Sequence, residues 1–286
     1  MDTAYLKFYG TLSLGSSISW DIVAGDDCSG IIAKALARTM QLDFVDQACK
    51  NLLIIKNGIS LGSKHLPHLF SLCKNSQGNQ AKTVLCQLPP AEDNDALALQ
   101  LMKLSLVFCN QAEASGGLLI HGALAEKNGA GVILAGHGDA GKTTASRRLP
   151  PPWKSLSDDC TLIVRDSEGS YHAHPWPTWS TFMYGGTGGS WDVQYNVPLQ
   201  AIFILKQSTK DHAEQLGQGQ AVCMLNETAG QAWYAVENDL DDQKRQTMSL
   251  QRFSNICELT KNIPAHLLHI SRNGAFWEEI DKVLSF

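Results

Sequence analysis

The chain has 286 residues, 44% of them hydrophobic, a formal net charge of −5 and eight cysteines. That length and apolar content suit one large or two modest domains, each with its own core. The acidic balance excludes a general basic footprint for nucleic acid, and no apolar run approaches the roughly 18 residues of a membrane span. Residues 1–7 lack a basic stretch followed by an apolar core, so a cytoplasmic location is expected. The cysteines lie far apart with no C-x-x-C pair, which predicts reduced thiols rather than disulfides or a zinc cluster.

Residues 5–21 alternate apolar with small polar side chains and predict one or two strands. Residues 31–46 carry Ile32, Leu36 and Met40 at helical spacing and predict a helix. Residues 52–60 and 82–88 read as further strands. The run Leu88-Pro89-Pro90-Ala91-Glu92-Asp93-Asn94-Asp95 then marks a linker and a helix start. The expected domains are therefore 1–90, a small α+β unit with no residues that read as chemistry, and 91–286.

In the second domain Leu97, Leu101, Leu104 and Phe108 make an apolar stripe along a helix at 95–114. Two apolar runs, 118–125 and 132–135, flank Asn128-Gly129, a hairpin signal. A short helix at 143–148 is stopped by Pro150-Pro151-Pro152. Strands are expected at 160–165, 199–206, 221–225 and 265–270, and helices at 240–260 and 275–284.

Between the second apolar run and the short helix stands Gly136-His137-Gly138-Asp139-Ala140-Gly141-Lys142-Thr143-Thr144. It fits G-x-x-x-x-G-K-[ST], the loop that wraps nucleotide phosphates. Glycines let the backbone turn tightly so that several N–H groups converge on phosphate oxygens. Lys142 would reach the β- and γ-phosphates, and the Thr143 hydroxyl would take a Mg²⁺ position. The alternative is an ordinary glycine-rich strand-to-helix turn.

A phosphate loop also needs carboxylates for Mg²⁺ and for the attacking group. Leu156-Ser157-Asp158-Asp159 follows at a suitable interval. One aspartate could hold Mg²⁺ and the other accept a proton from a hydroxyl, with the roles open between them. The plain alternative is a polar turn before a strand. His121, in an apolar strand that is the hairpin partner of the strand leading into the loop, is a third candidate, able to hydrogen-bond a carboxylate and raise its basicity. Arg147, Arg148 and Lys154 form a local basic cluster, suited to phosphate steering or to simple solvation.

The order Ile120-His121-Gly122, hairpin, Gly136–Thr144, Asp158-Asp159 resembles the catalytic domain of HPr kinase/phosphorylase and the nucleotide half of phosphoenolpyruvate carboxykinases. The resemblance spans residues 118–164. It implies an α+β fold with a mainly β core and flanking helices, an ATP–Mg²⁺ site and phosphotransfer to an alcohol group. Oligomeric assembly is implied by the resemblance alone, as a homo-oligomer. The loop departs from HPr kinase at Gly138 and Asp139, and the glycine-rich signature tied to phosphorolysis is not evident, so HPr is not the implied acceptor.

Further segments are similar to the SynChlorMet cassette protein ScmC family. They are Pro175-Trp176-Pro177-Thr178-Trp179, residues 185–192, Val197-Pro198-Leu199-Gln200-Ala201-Ile202-Phe203, and the ending from His269-Ile270-Ser271 through Gly274-Ala275-Phe276-Trp277. That resemblance implies a kinase-like enzyme acting on a peptide or protein of a peptide-modification cassette. The rival readings are a non-catalytic nucleotide-binding regulator and a small-molecule kinase, for example on free serine.

His172 and His174 make a weak metal pair without a third ligand at useful spacing. Trp176, Trp179 and Trp191 suit either a pocket lining or a core. Residues 185–189 suit either a lid or a passive loop. Arg165, Lys206, Arg245, Arg252 and Arg272 are the candidates for stabilising transition-state charge.

Overall fold

The computed structural model describes residues 7–15, 18–43, 51–57, 71–73, 83–237 and 240–285. They form mixed α and β structure in two units, Met1–Gln111 with Trp179–Gln194, and Ala112–Thr178 with Tyr195–Phe286. The expected break after residue 90 falls inside the first unit, and residues 179–194 belong to that unit as well.

The first unit carries strands β1 (Lys7–Leu14), β2 (Ile18–Ala24), β3 (Leu52–Asn57), β4 (Ser71–Cys73) and β5 (Thr83–Leu88), ordered β1-β2-β3-β5-β4. Helix α1 (Asp27–Thr39) starts earlier than its apolar spacing suggests, because Asp26 caps it by accepting from the Ser29 N–H at 2.8 Å. Leu12, Leu14, Trp20, Ile22, Leu36 and Met40 have no exposed surface and form its core. Helix α2 (Asn94–Ala114) begins where Asp93 accepts from the Ala96 N–H at 2.7 Å.

The segment 179–194 is knitted into this unit. The Trp191 N–H donates to the Thr39 carbonyl at 2.8 Å, and Oε1 of the Gln194 side chain accepts from the Ser13 N–H at 2.9 Å. Trp179, Phe182 and Trp191 pack in series as tilted rings, with centroids 5.9 and 6.3 Å apart. Gly188, at φ +69°, lies against Phe182, where a Cβ would come within 2.6 Å of the ring. Within residues 185–189, Gly188 and Gly189 thus lie against the Phe182 and Trp191 rings, while Gly185, Gly186 and Thr187 are exposed.

The second unit is built on an eight-stranded sheet. Its strands are β6 (Leu118–Lys127), β7 (Ala130–Ala135), β8 (Lys154–Ser157), β9 (Cys160–Arg165), β10 (Tyr171–Trp176), β11 (Val197–Gln207), β12 (His212–Gln215) and β13 (Ala265–Ile270). The order is β10-β9-β6-β7-β11-β13-β12, with β8 also on β6 and β10 also touching β11. β11 runs parallel to both β7 and β13, while β6 is antiparallel to β7, β8 and β9.

Alternation along these strands divides the core in two. Ile133, Ala135, Ile202 and Ile204 face helices α4 (Gln218–Glu237) and α5 (Asp242–Asn262), through Leu225, Ala229, Ile256 and Leu259. Val132, Leu134, Ala201 and Phe203 face α3 (Lys142–Arg148) and α6 (Phe276–Leu284), through Ala145, Phe276 and Ile280. Burying each such large side chain contributes about 1.5–3 kcal/mol. Residues 221–225, expected as a strand, lie inside α4. Strands β8, β10 and β12 have no counterpart in the sequence reading. Among the described cysteines, Cys28, Cys160, Cys223 and Cys257 are free thiols.

Candidate functional site

The site is assembled by strand register. Asn128 and Gly129 both take positive φ, 53° and 80°, the geometry of a two-residue hairpin turn, and they join β6 to β7. The hairpin pairs Gly122 with Ala135, so His121 lies one step past the last pair, beside the start of the glycine-rich loop. On its other side β6 pairs His121 with Cys160, the first residue of β9. Three adjacent strands therefore bring His121, Asp158-Asp159 and Gly136 to one end of the sheet.

The loop from Gly136 to Thr144 turns from β7 into α3. Gly141 sits at φ +94°, a conformation that disfavours any side chain. Asp139 is also left-handed, at φ 62°, and its side chain is exposed. Its carbonyl accepts from Gln207 Nε2 at 2.9 Å. Lys142 is buried and its ammonium folds back on the loop, donating to the carbonyls of Gly136 at 3.0 Å and His137 at 2.8 Å. Burial holds the Lys142 pKa below its ordinary value, against the pull of Asp159, Cys160 and Asp139, in that order.

His121 Nε2 lies 2.9 Å from Asp159 Oδ1, and Nδ1 lies 2.9 Å from Gln231 Oε1. Asp159 keeps its carboxyl below the usual aspartate value of 3.8. Burial acts to raise it but is outweighed by the hydrogen bond and charge of His121, by the Lys142 ammonium and by the Cys160 thiol. His121 therefore lowers the basicity of Asp159, where the sequence reading expects it to raise it, because a donor to the carboxylate favours its ionised form. Burial pushes that thiol's own pKa well above the usual value. Asp158 is held differently: the Thr178 hydroxyl donates to it at 2.7 Å, and Arg147 Nη2 stands 3.6 Å away. The Thr143 hydroxyl reaches the Asp158 carbonyl at 3.5 Å.

Sequence reasoning missed the contribution of α4. Glu227 and Gln231, one turn apart, both face the loop. Glu227 Oε2 is 3.1 Å from His137 Nε2, and Gln231 Nε2 is 3.4 Å from His137 Nδ1. Gln231 thus bridges His137 of the loop and His121 of β6. Nothing in the sequence flags a glutamine 110 residues from the histidine it orients. Thr178 stands out in the sequence only as part of the run Pro175–Trp179.

A hollow of about 290 Å³ adjoins the loop, lined by Gly141, Thr144, Arg148, Gln207, Ile270 and Arg272, among others. Of the basic candidates, Arg272 lies there. Arg148 is committed to the Ser271 and Gly274 carbonyls. Arg252 is buried beside Glu113 at 3.7 Å, and Arg165 pairs with Glu258 at 3.8 Å. His174 is wholly buried, whereas His172 meets Asn196 and Asp166, so the two do not form a shared ligand pair.

The fold and site define a mixed α+β protein with a glycine-rich strand-to-helix loop flanked by a histidine-held aspartate. A family model described as SynChlorMet cassette protein ScmC matches residues 84–285. The chain belongs to that family. No curated protein matches it. Among the described residues, no helix is long and apolar enough to cross a membrane.

Proposed function

We propose that the chain is an ATP- and Mg²⁺-dependent phosphotransferase whose second unit has the HPr kinase-like phosphate-loop fold. The acceptor is the hydroxyl of a serine or threonine in a cassette peptide or protein, bound with help from the first unit. The reading places the enzyme in the cytoplasm as a homo-oligomer. The observation that carries it is the meeting of Lys142, Asp159 and His121 at the mouth of the glycine-rich loop. Antiparallel pairing of β6 on one side of β7 and parallel pairing of β11 on the other supports the fold assignment.

The residues present fit the nucleotide and metal. Lys142 has its ammonium on two loop carbonyls, contacts that phosphate oxygens can replace. Thr143 and Asp158 offer the hard oxygen donors that Mg²⁺ prefers, which leaves Asp159 for the proton. When bound, Mg²⁺ would neutralise phosphate charge. The acceptor oxygen attacks the γ-phosphorus, the bond from that phosphorus to the β–γ bridging oxygen breaks, and ADP departs. Asp159 takes the hydroxyl proton, oriented by His121, and Lys142 stabilises charge on the transferring group.

The test is incubation with γ-labelled ATP, Mg²⁺ and the peptide encoded beside the gene, with the label located by mass spectrometry. Phosphopeptide is the expected product. Lys142→Ala is expected to slow transfer on the order of 10²–10³-fold, and Asp159→Asn on the order of 10²–10⁴-fold. Full transfer by both variants would overturn the assignment. Tight nucleotide binding without any product would indicate a regulator, and label on free serine would indicate a small-molecule kinase.

A further inference from the structure

The edge of the sheet at β13 and β12 gathers two histidines and a glutamate. We propose that His212, Glu214 and His269 form a site for a divalent transition cation of the zinc class. None of the three belongs to the glycine-rich loop, so this site stands or falls separately from phosphotransfer.

Sheet geometry alone brings the three together. β12 and β13 are antiparallel, with His212 directly opposite His269. Side chains alternate faces along a strand, so Glu214, two residues beyond His212, shares their face. One ligand atom from each residue lies within 4.8 Å of the others. His269 Nε2 is 3.3 Å from Glu214 Oε1. That matches the edge of a tetrahedron around a cation held at about 2.0–2.1 Å from each ligand atom.

An ordinary ion pair would account for Glu214 and His269. The His212 ring stacks on His269 with centroids 3.9 Å apart and planes within 16°, which brings the second imidazole to the same place; one ring must turn about its side-chain bonds for both nitrogens to meet a shared cation. Two imidazole nitrogens and one carboxylate oxygen suit zinc or cobalt, whereas Mg²⁺ prefers an all-oxygen octahedron. Three protein ligands leave a coordination position for water or an added ligand. Glu214 also lines a cavity of about 500 Å³ bounded by Gln220, Cys223 and Met224 of α4 and by Leu267. A cation here would tie the four-residue edge strand β12 to its neighbour.

The test uses the full chain, stripped with a chelator and titrated with Co²⁺ alone, without nucleotide. The expected result is one equivalent bound at this site, with visible absorption characteristic of low-coordinate Co²⁺ and displaced by Zn²⁺. His212→Ala, Glu214→Ala and His269→Ala should each weaken binding by at least about tenfold. An Asp158→Asn/Asp159→Asn double variant should keep the absorption. In the wild-type chain Zn²⁺ should slow hydrogen exchange at the β12 amides, a readout that needs no variant to fold. Absence of saturable binding, binding indifferent to all three single variants, or unchanged exchange in β12 would each overturn the proposal.

Discussion

At the residue scale, Asp159 shows how one carboxylate is made available at a loop crowded with its own contacts. Its pKa lies below 3.8 because His121, Lys142 and Cys160 together outweigh its burial. A depressed pKa means that the ionised form stabilises the fold. That contribution is full above about pH 3.8 and fades as the pH falls through the lower folded value. Asp159→Asn is therefore expected to be less stable than the wild type at about pH 5, with the gap closing as the pH drops below 3.8. Urea midpoints across that range check it, and a gap that persists unchanged would locate the stabilisation elsewhere. The loop, both aspartates and His121 were legible in the sequence because each stands in a recognisable local pattern. These are a strand-to-helix glycine run, a paired carboxylate before a strand and a lone histidine in an apolar strand. Gln231 and Glu227 were not, since a glutamine and a glutamate on an exposed helical turn look like solvated surface. Asp139, the least expected residue of the loop, has an exposed side chain and is the last-ranked of the three influences that raise Lys142.

At the element scale, α4 was the least legible part of the second unit. The run Ala221-Val222-Cys223-Met224-Leu225 is apolar and short, and so resembles a buried strand. Its helical period emerges only over a longer window, in which Ala221, Leu225, Ala229 and Trp233 are buried. That stripe ends in a buried polar junction. Trp233 Nε1 donates to Glu113 Oε1 at 2.8 Å, and Arg252 of α5 lies 3.7 Å from the same carboxylate and 5.5 Å over the Trp233 ring. Asn255 donates to the Glu113 and Gly117 carbonyls at 2.7 and 2.9 Å. Glu113 and Arg252 are each 3% exposed, so removing the carboxylate leaves the guanidinium buried without it. Glu113→Ala is expected to cost about 3–5 kcal/mol of unfolding free energy. Pairing it with Arg252→Met should recover most of that loss, because an apolar pair avoids the desolvation of both charges. Equal urea midpoints for wild type and Glu113→Ala would show that the junction contributes nothing.

At the scale of the whole molecule, the linear reading and the folded units part company for a topological reason. Pro89-Pro90 followed by acidic residues is a real local break, ahead of the Asp93 cap of α2. Contacts, however, carry α2 as far as Gln111 into the first unit and return residues 179–194 to it. A chain that leaves a unit and comes back leaves no compositional mark, since each crossing looks like an ordinary loop. The matched family region, 84–285, likewise starts within β5 rather than at a unit boundary. A fragment of residues 91–286 would therefore keep 179–194 while losing Thr39, whose carbonyl accepts from Trp191, and Ser13 and Asp43, which bond Gln194. The aromatic series Trp179, Phe182 and Trp191 would lose its surroundings with them. Chymotrypsin should then cut at Phe182 and Trp191 in the fragment much faster than in the full chain, and mass spectrometry of timed digests reads the difference. Matching rates at both positions would mean that 179–194 holds its conformation without the rest of the first unit, and that residue 91 marks a boundary of folding as well as of composition.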